Sequence, residues 1–143
     1  MGKQIEGWFT FSFVRNPYTR IASEYMWSVA TSTWNPDLFE DWLLKFMSDD
    51  ERYDHRLPQS QILDEPVDFI GRFESLEADF QTVLNKIGLP ALGLSHHEKT
   101  RYRKEQLVDS FTKRSISLIN EFYAEDFKRF DYHKPLVASI KVL

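Results

Sequence analysis

The spacing of apolar residues changes several times along the chain, and each change marks an element. Trp8-Phe9-Thr10-Phe11-Ser12-Phe13-Val14 is aromatic and β-branched and largely apolar on one parity, which predicts a strand. Asn16-Pro17 closes it, because Asn is a good helix cap and Pro a good first helical residue. A helix is expected from there to about Val29. Tyr18, Ile21, Ala22, Tyr25 and Val29 recur at helical spacing as one apolar stripe, with Arg20, Ser23 and Trp27 on another face. Asn35-Pro36 opens a second helix that turns Phe39, Trp42, Leu43 and Phe46 inward. Ser48 to Pro66 is polar and charged and contains Pro58, so it reads as an ordered loop, long enough to suggest function.

The second half repeats the alternation. Val67 to Phe73 predicts another strand, and Glu74-Ser75 leads into a helix with Leu76, Phe80, Val83, Leu84 and Ile87 inward, stopped by Gly88. Pro90 to Arg103 reads as a loop that ends in the basic stretch Lys99-Thr100-Arg101-Tyr102-Arg103-Lys104. Ser110 to Phe127 is a last amphipathic helix with Ile116, Ile119 and Tyr123 inward, followed by Phe130-Asp131-Tyr132. Strands alternating with helices imply an α/β layer with parallel strands. With no repeat and no low-complexity stretch, residues 1–143 read as a single domain. Two strands make a thin sheet, and the chain opens almost at once on one of them. The expectation is therefore an N-terminally truncated sheet, with Trp8 to Val14 as an adhesive edge and a homo-oligomer joined there.

Composition narrows the function. A chain of 143 residues with 42% apolar residues and twelve Phe is long enough and apolar enough to fold around a core. The net charge of −4 disfavours a nonspecific grip on nucleic acid, while leaving room for a local anion site. Without cysteine there is no disulfide, no thiolate metal site and no cysteine nucleophile. That usage fits a reducing compartment. No apolar run approaches the roughly 18 residues of a membrane span, and residues 1–13 lack a signal-peptide layout. A cytoplasmic protein with no membrane partner is expected.

Arg15-Asn16-Pro17-Tyr18-Thr19-Arg20-Ile21-Ala22-Ser23 is the densest chemical signal. Arg15 stands where a strand ends and a helix begins, and open α/β sheets bind ligands at the carboxyl ends of strands. The free N–H groups at a helix start suit an anion. Arg15 adds a planar, permanently charged fork, and Ser23, two turns into the helix, a hydroxyl. The same residues also suit a plainer role, with Arg15 paired to a carboxylate and Ser23 as packing.

Phe13-Val14-Arg15-Asn16-Pro17-Tyr18-Thr19-Arg20-Ile21-Ala22-Ser23-Glu24-Tyr25 resembles the phosphate-binding motif of PAPS-dependent sulfotransferases, the family of the Golgi carbohydrate sulfotransferases and bacterial relatives. PAPS is 3′-phosphoadenosine 5′-phosphosulfate, and PAP is the product left after transfer. Three further stretches resemble the family in the same order. They are His55-Arg56-Leu57-Pro58-Gln59; Phe69-Ile70-Gly71-Arg72-Phe73-Glu74-Ser75-Leu76 with Asp79-Phe80; and Tyr123-Ala124-Glu125-Asp126-Phe127 with Phe130 and Tyr132. The resemblance implies a P-loop NTPase-like fold, a parallel sheet flanked by helices. It also implies transfer of a sulfuryl group from PAPS to a hydroxyl acceptor, expected to be a carbohydrate. Arg15 and Ser23 are then the ligands of the 3′-phosphate. Lys99, Thr100 and Arg101 align with a loop that closes over the nucleotide, although a solvated basic run reads equally well there. The family's upstream turn, whose Lys holds the 5′-phosphosulfate, has no counterpart around Lys3. The chain is therefore expected to be a C-terminal portion of such an enzyme, inactive where that turn is not supplied.

The remaining candidates are weaker. His55 suits a general base near neutral pH, or a histidine bonded to loop backbone, and the second reading is favoured. Gln59 suits an acceptor contact or a backbone tie, and Arg72 and Glu74 suit a structural pair. His96 and His97 are adjacent and poorly placed to share a metal, so no metal is expected. Two rivals stand beside the sulfotransferase: a catalytically incomplete module that binds PAP or another phosphate, and a P-loop kinase relative, which the missing Walker motif opposes.

Overall fold

The computed structural model describes residues 7–31, 39–48, 53–94 and 111–134. Two short strands, β1 (Phe11–Val14) and β2 (Phe69–Arg72), pair in parallel with Phe11 opposite Phe69 and Val14 opposite Arg72. The helices are α1 (Pro17–Thr31), α2 (Phe39–Ser48), α3 (Tyr53–Arg56), α4 (Gln59–Ile62), α5 (Leu76–Lys86), α6 (Lys113–Phe122) and α7 (Ala124–Arg129). A 3₁₀ turn, Phe73–Ser75, joins β2 to α5. The architecture is mixed α/β, with one small parallel sheet among the described residues. No helix among the described residues is long and apolar enough to cross a membrane.

The described residues fall into two compact units. The first holds residues 7–15 and 63–94, with β1, β2 and α5. Thr10 leads into its sheet: the Asp68 carboxylate accepts the Thr10 N–H at 2.7 Å and the Thr10 hydroxyl at 2.9 Å. Gly71 lies opposite Phe13, and a Cβ built there would stand 2.4 Å from the Phe13 ring, so only glycine lets that ring lie across the strand pair. Beyond β2, the Asp79 carboxylate accepts the Arg72 N–H at 2.6 Å and the Ser75 hydroxyl at 2.8 Å, which fixes the turn into α5. Val83 and Leu84 are the buried residues of α5, and Gly88 ends it with φ of +73°.

The second unit holds residues 16–31, 39–48, 53–62 and 111–134. Its core gathers Tyr18, Ile21 and Ala22 of α1, Trp42, Leu43 and Phe46 of α2, and Phe111, Ile116, Ile119, Tyr123 and Phe127. Aromatic packing dominates, with Phe39 stacked on Phe111 at 4.4 Å, Trp42 on Phe46 at 4.8 Å, and Tyr18 tilted against Phe127 at 5.2 Å. Thr112 caps α6 by accepting the Ser115 N–H at 3.2 Å.

Several expectations need correcting. The strand predicted over Trp8 to Val14 pairs only from Phe11, and Trp8 is 71% exposed. Val29 is 41% exposed, and Ser28 takes the buried place in the last turns of α1. Ile87 is 44% exposed because it follows the last turn of α5. The predicted loop from Ser48 to Pro66 contains α3 and α4. The last helix is broken at Tyr123, whose φ and ψ of −105° and 26° leave the helical region. The predicted start of α2 at Asn35-Pro36 lies outside the described residues.

Candidate functional site

In the first unit, parallel pairing with Val14 opposite Arg72 makes Arg15 and Phe73 the next residues out of the two strands, at the carboxyl end of the sheet. The Arg15 guanidinium sits 4.4 Å over the Phe73 ring. Such a contact holds the cation over the ring face, which restricts a long side chain before any ligand arrives.

In the second unit, Asn16 makes the helix start that its sequence predicts. Its side-chain oxygen accepts the Tyr18 N–H at 2.9 Å, and its carbonyl accepts the Arg20 N–H at 2.9 Å and the Thr19 hydroxyl at 3.1 Å. α1 runs for 15 residues with no acid in its first turn, so no side chain there opposes the positive end of the helix. Ser23 is half-buried on its second turn.

One face of α1 and the C-terminal helices together clamp residues 55–60. Arg20 donates Nη1 to the Leu57 carbonyl at 2.8 Å and Nη2 to the His55 carbonyl at 2.9 Å, so the fork holds the loop by two backbone oxygens. The Tyr123 hydroxyl donates to the Arg56 carbonyl at 2.9 Å, and Arg129 donates to the Ser60 carbonyl at 2.8 Å. Asp126, fully buried, accepts the N–H groups of Gln59 and Ser60, each at 2.8 Å, and the Gln59 side-chain amide at 3.4 Å. Gln59 thus ties backbone down rather than facing outward.

His55 leaves this clamp on the outer side. Its Nδ1 lies 3.2 Å from Glu24 Oε1, and its ring runs parallel to the Trp27 indole, with centroids 6.4 Å apart and planes 13° from parallel. The side chain is bonded to a carboxylate, not to loop backbone as the favoured reading had it. Arg20, Glu24 and Trp27 supply the contacts from positions i, i+4 and i+7 of one helix.

Burial raises the Tyr123 hydroxyl well above the usual tyrosine range, against the opposing pull of the Arg20 charge; Asp126 and Glu24 push the same way as burial. Tyr18 is pushed up to about 12, again by burial, partly offset by its bond to Asn120. Both phenols therefore stay protonated as hydrogen-bond donors at neutral pH.

Of the predicted phosphate ligands, Arg15 belongs to the first unit and Ser23 to the second. Lys99, Thr100 and Arg101 lie outside the described residues, as do His96 and His97. Sequence reasoning missed Glu24, Asp126 and Arg129. The available signal for Asp126 was an acid on an apolar stripe, between Tyr123 and Phe127 and Phe130. For Glu24 it was a position one turn from Arg20 and almost one from Trp27.

A family model described as the sulfotransferase family matches residues 1–133. An Archaeoglobus fulgidus protein, described only as uncharacterized, is 31% identical over 96 residues, covering 63% of this chain and 77% of its own length. No solved structure matches the chain. The family match spans every described element, the junction after β1 and the clamped 55–60 segment included, and on that ground the chain belongs to the sulfotransferase family.

Proposed function

We propose that this sulfotransferase takes its sulfuryl group from PAPS and delivers it to a hydroxyl of a carbohydrate. The observation that carries the reading is the start of α1, a capped helix with no acid in its first turn, which Arg15 precedes in the sequence by two residues. A dianionic phosphate fits such a helix start. Arg15 and Ser23 are the proposed ligands of the 3′-phosphate, matching the family motif in type and spacing. The Arg15 fork supplies paired N–H donors and permanent charge, and its contact with Phe73 reduces the ordering required on binding. Lys99, Thr100 and Arg101 are proposed to cover the nucleotide. The proposed fold is the P-loop-like one, with the β1–β2 pair as part of its parallel sheet.

When bound, PAPS supplies an activated sulfuryl group whose leaving oxygen belongs to a phosphate. The protein's part is to seat the nucleotide, aim the acceptor hydroxyl at sulfur and offset developing negative charge. Incubation with radiolabelled PAPS and a panel of glycans tests the reading. Label should pass to glycan hydroxyls in preference to phenols. Transfer to phenols alone would exclude the carbohydrate acceptor, and failure of the chain to bind PAP would exclude the donor.

A further inference from the structure

We propose that His55 is the proton acceptor for the acceptor hydroxyl and that Glu24 is its positioning residue. The inference rests on the sulfotransferase reading above and adds the group that completes it.

Three observations within the second unit carry it. The first is the bond of His55 Nδ1 to Glu24 Oε1 at 3.2 Å. A carboxylate on Nδ1 selects the tautomer with the proton there, which leaves the lone pair of Nε2 open to accept another. The second is immobilisation. Trp27 stacks along the ring, and Arg20 holds the His55 and Leu57 carbonyls, so the imidazole is restrained through side chain and backbone at once. An ordinary surface histidine has no such frame. The third is access: the His55 side chain is 61% exposed although its partner Glu24 is only 22% exposed. A carboxylate mostly out of solvent beneath an imidazole mostly in it directs Nε2 outward.

The rest of the charge near the ring is compatible with this role. Its side chain meets the Glu24 carboxylate from α1, while Arg20 bonds the His55 backbone carbonyl and the Tyr123 hydroxyl bonds the carbonyl of the next residue, Arg56. Asp54 and Arg56 are its own neighbours in α3. Ser23, the proposed phosphate ligand, immediately precedes Glu24 on α1, so one helix carries a donor ligand and the residue that orients the base.

The step balances without a further reagent. The acceptor oxygen forms a bond to sulfur while the bond from sulfur to the phosphate oxygen breaks, and that electron pair departs with PAP. The acceptor's proton passes to His55 Nε2 and from there to water.

The test joins a spectroscopic and a kinetic reading on the full chain. In protein with ¹⁵N-labelled histidine, the His55 signals at neutral pH should show a protonated Nδ1 and a bare Nε2, and Glu24→Ala should abolish that single-tautomer pattern. His55→Ala should leave PAP affinity within about twofold of wild type, yet lower kcat roughly 100-fold or more, the usual share of general-base catalysis. Added imidazole should restore part of the lost rate, which a structural role would not allow, and His55→Gln should match His55→Ala without rescue. His55→Ala turning over at the wild-type rate, or a wild-type His55 protonated on Nε2 alone, overturns this inference and leaves the donor assignment standing. A wild-type protein that does not bind PAP overturns both.

Discussion

Gln59 and Asp126 stand 67 residues apart in the chain and are joined by a 2.8 Å bond from a backbone N–H to a fully buried carboxylate. The same carboxylate takes the N–H of Ser60. Asp126 is thus the cap of α4, supplied from α7. It explains why a segment rich in polar residues and proline becomes helical at all, since a four-residue helix cannot sustain itself on local bonds.

Asp126→Ala should therefore cost about 3 kcal/mol, because two backbone donors would lose a charged acceptor in a buried place. Urea unfolding followed by circular dichroism measures it. Asp126→Asn keeps one good acceptor and should fall between alanine and wild type. A loss below about 1 kcal/mol for alanine would show that water replaces the carboxylate.

Gly71→Ala should destabilise by about 1–3 kcal/mol through overpacking against Phe13. The contact is specific, with the new Cβ 2.4 Å from the Phe13 ring. Phe13→Ala made in the same chain should relieve it, so a double-mutant cycle should give a coupling well beyond 0.5 kcal/mol. Additive effects of the two substitutions would reject the clash.

Asp68 is held below its usual value of 3.8 by the Thr10 N–H and hydroxyl. A carboxyl whose folded value is depressed adds stability above its unfolded value, and loses it as pH falls through the folded one. The advantage of wild type over Asp68→Asn should therefore be full at neutral pH and fade as pH drops below about 3.8. Melting temperatures of the two proteins from pH 7 to pH 2 give the comparison. A constant difference would contradict the assignment.

Tyr18 gives the opposite limb. Its hydroxyl is raised from 10.0 to about 12, so the unfolded chain ionises first. Stability from this group is complete below pH 10 and declines as pH rises toward 12. Tyr18→Phe should make alkaline destabilisation over that range shallower by up to about 1.4 kcal/mol per pH unit, the slope of one proton. An unchanged slope would mean that Tyr18 ionises equally in both states.

The legible parts of this molecule were those whose causes are local. Asn16-Pro17 announced α1 because both cap and first residue lie in the sequence where the helix begins, and Gly88 announced the end of α5 in the same way. β1 and β2 were readable from their aromatic and β-branched runs, though the strand pairing begins at Phe11, with the Thr10 carbonyl accepting the N–H groups of Asp68 and Phe69 just before it. α3 and α4 were not readable, because their bonds come from Arg20, Tyr123, Asp126 and Arg129, residues of distant elements. The same applies to the candidate site. Arg15 and Ser23 carry a recognisable pattern, whereas the Glu24–His55 pair exists only once α3 lies against α1. The break at Tyr123 was hidden because the apolar stripe continues through it, from Ile119 to Phe127.

The central claim is that Arg15 seats the 3′-phosphate of the donor, and calorimetric titration with PAP and with adenosine 5′-monophosphate, which lacks that phosphate, tests it most directly. Wild type should bind PAP more tightly, and Arg15→Ala should lose about 1.5–3 kcal/mol toward PAP, the worth of a charged hydrogen bond, with little change toward the monophosphate. Equal PAP affinities for wild type and Arg15→Ala would contradict the account.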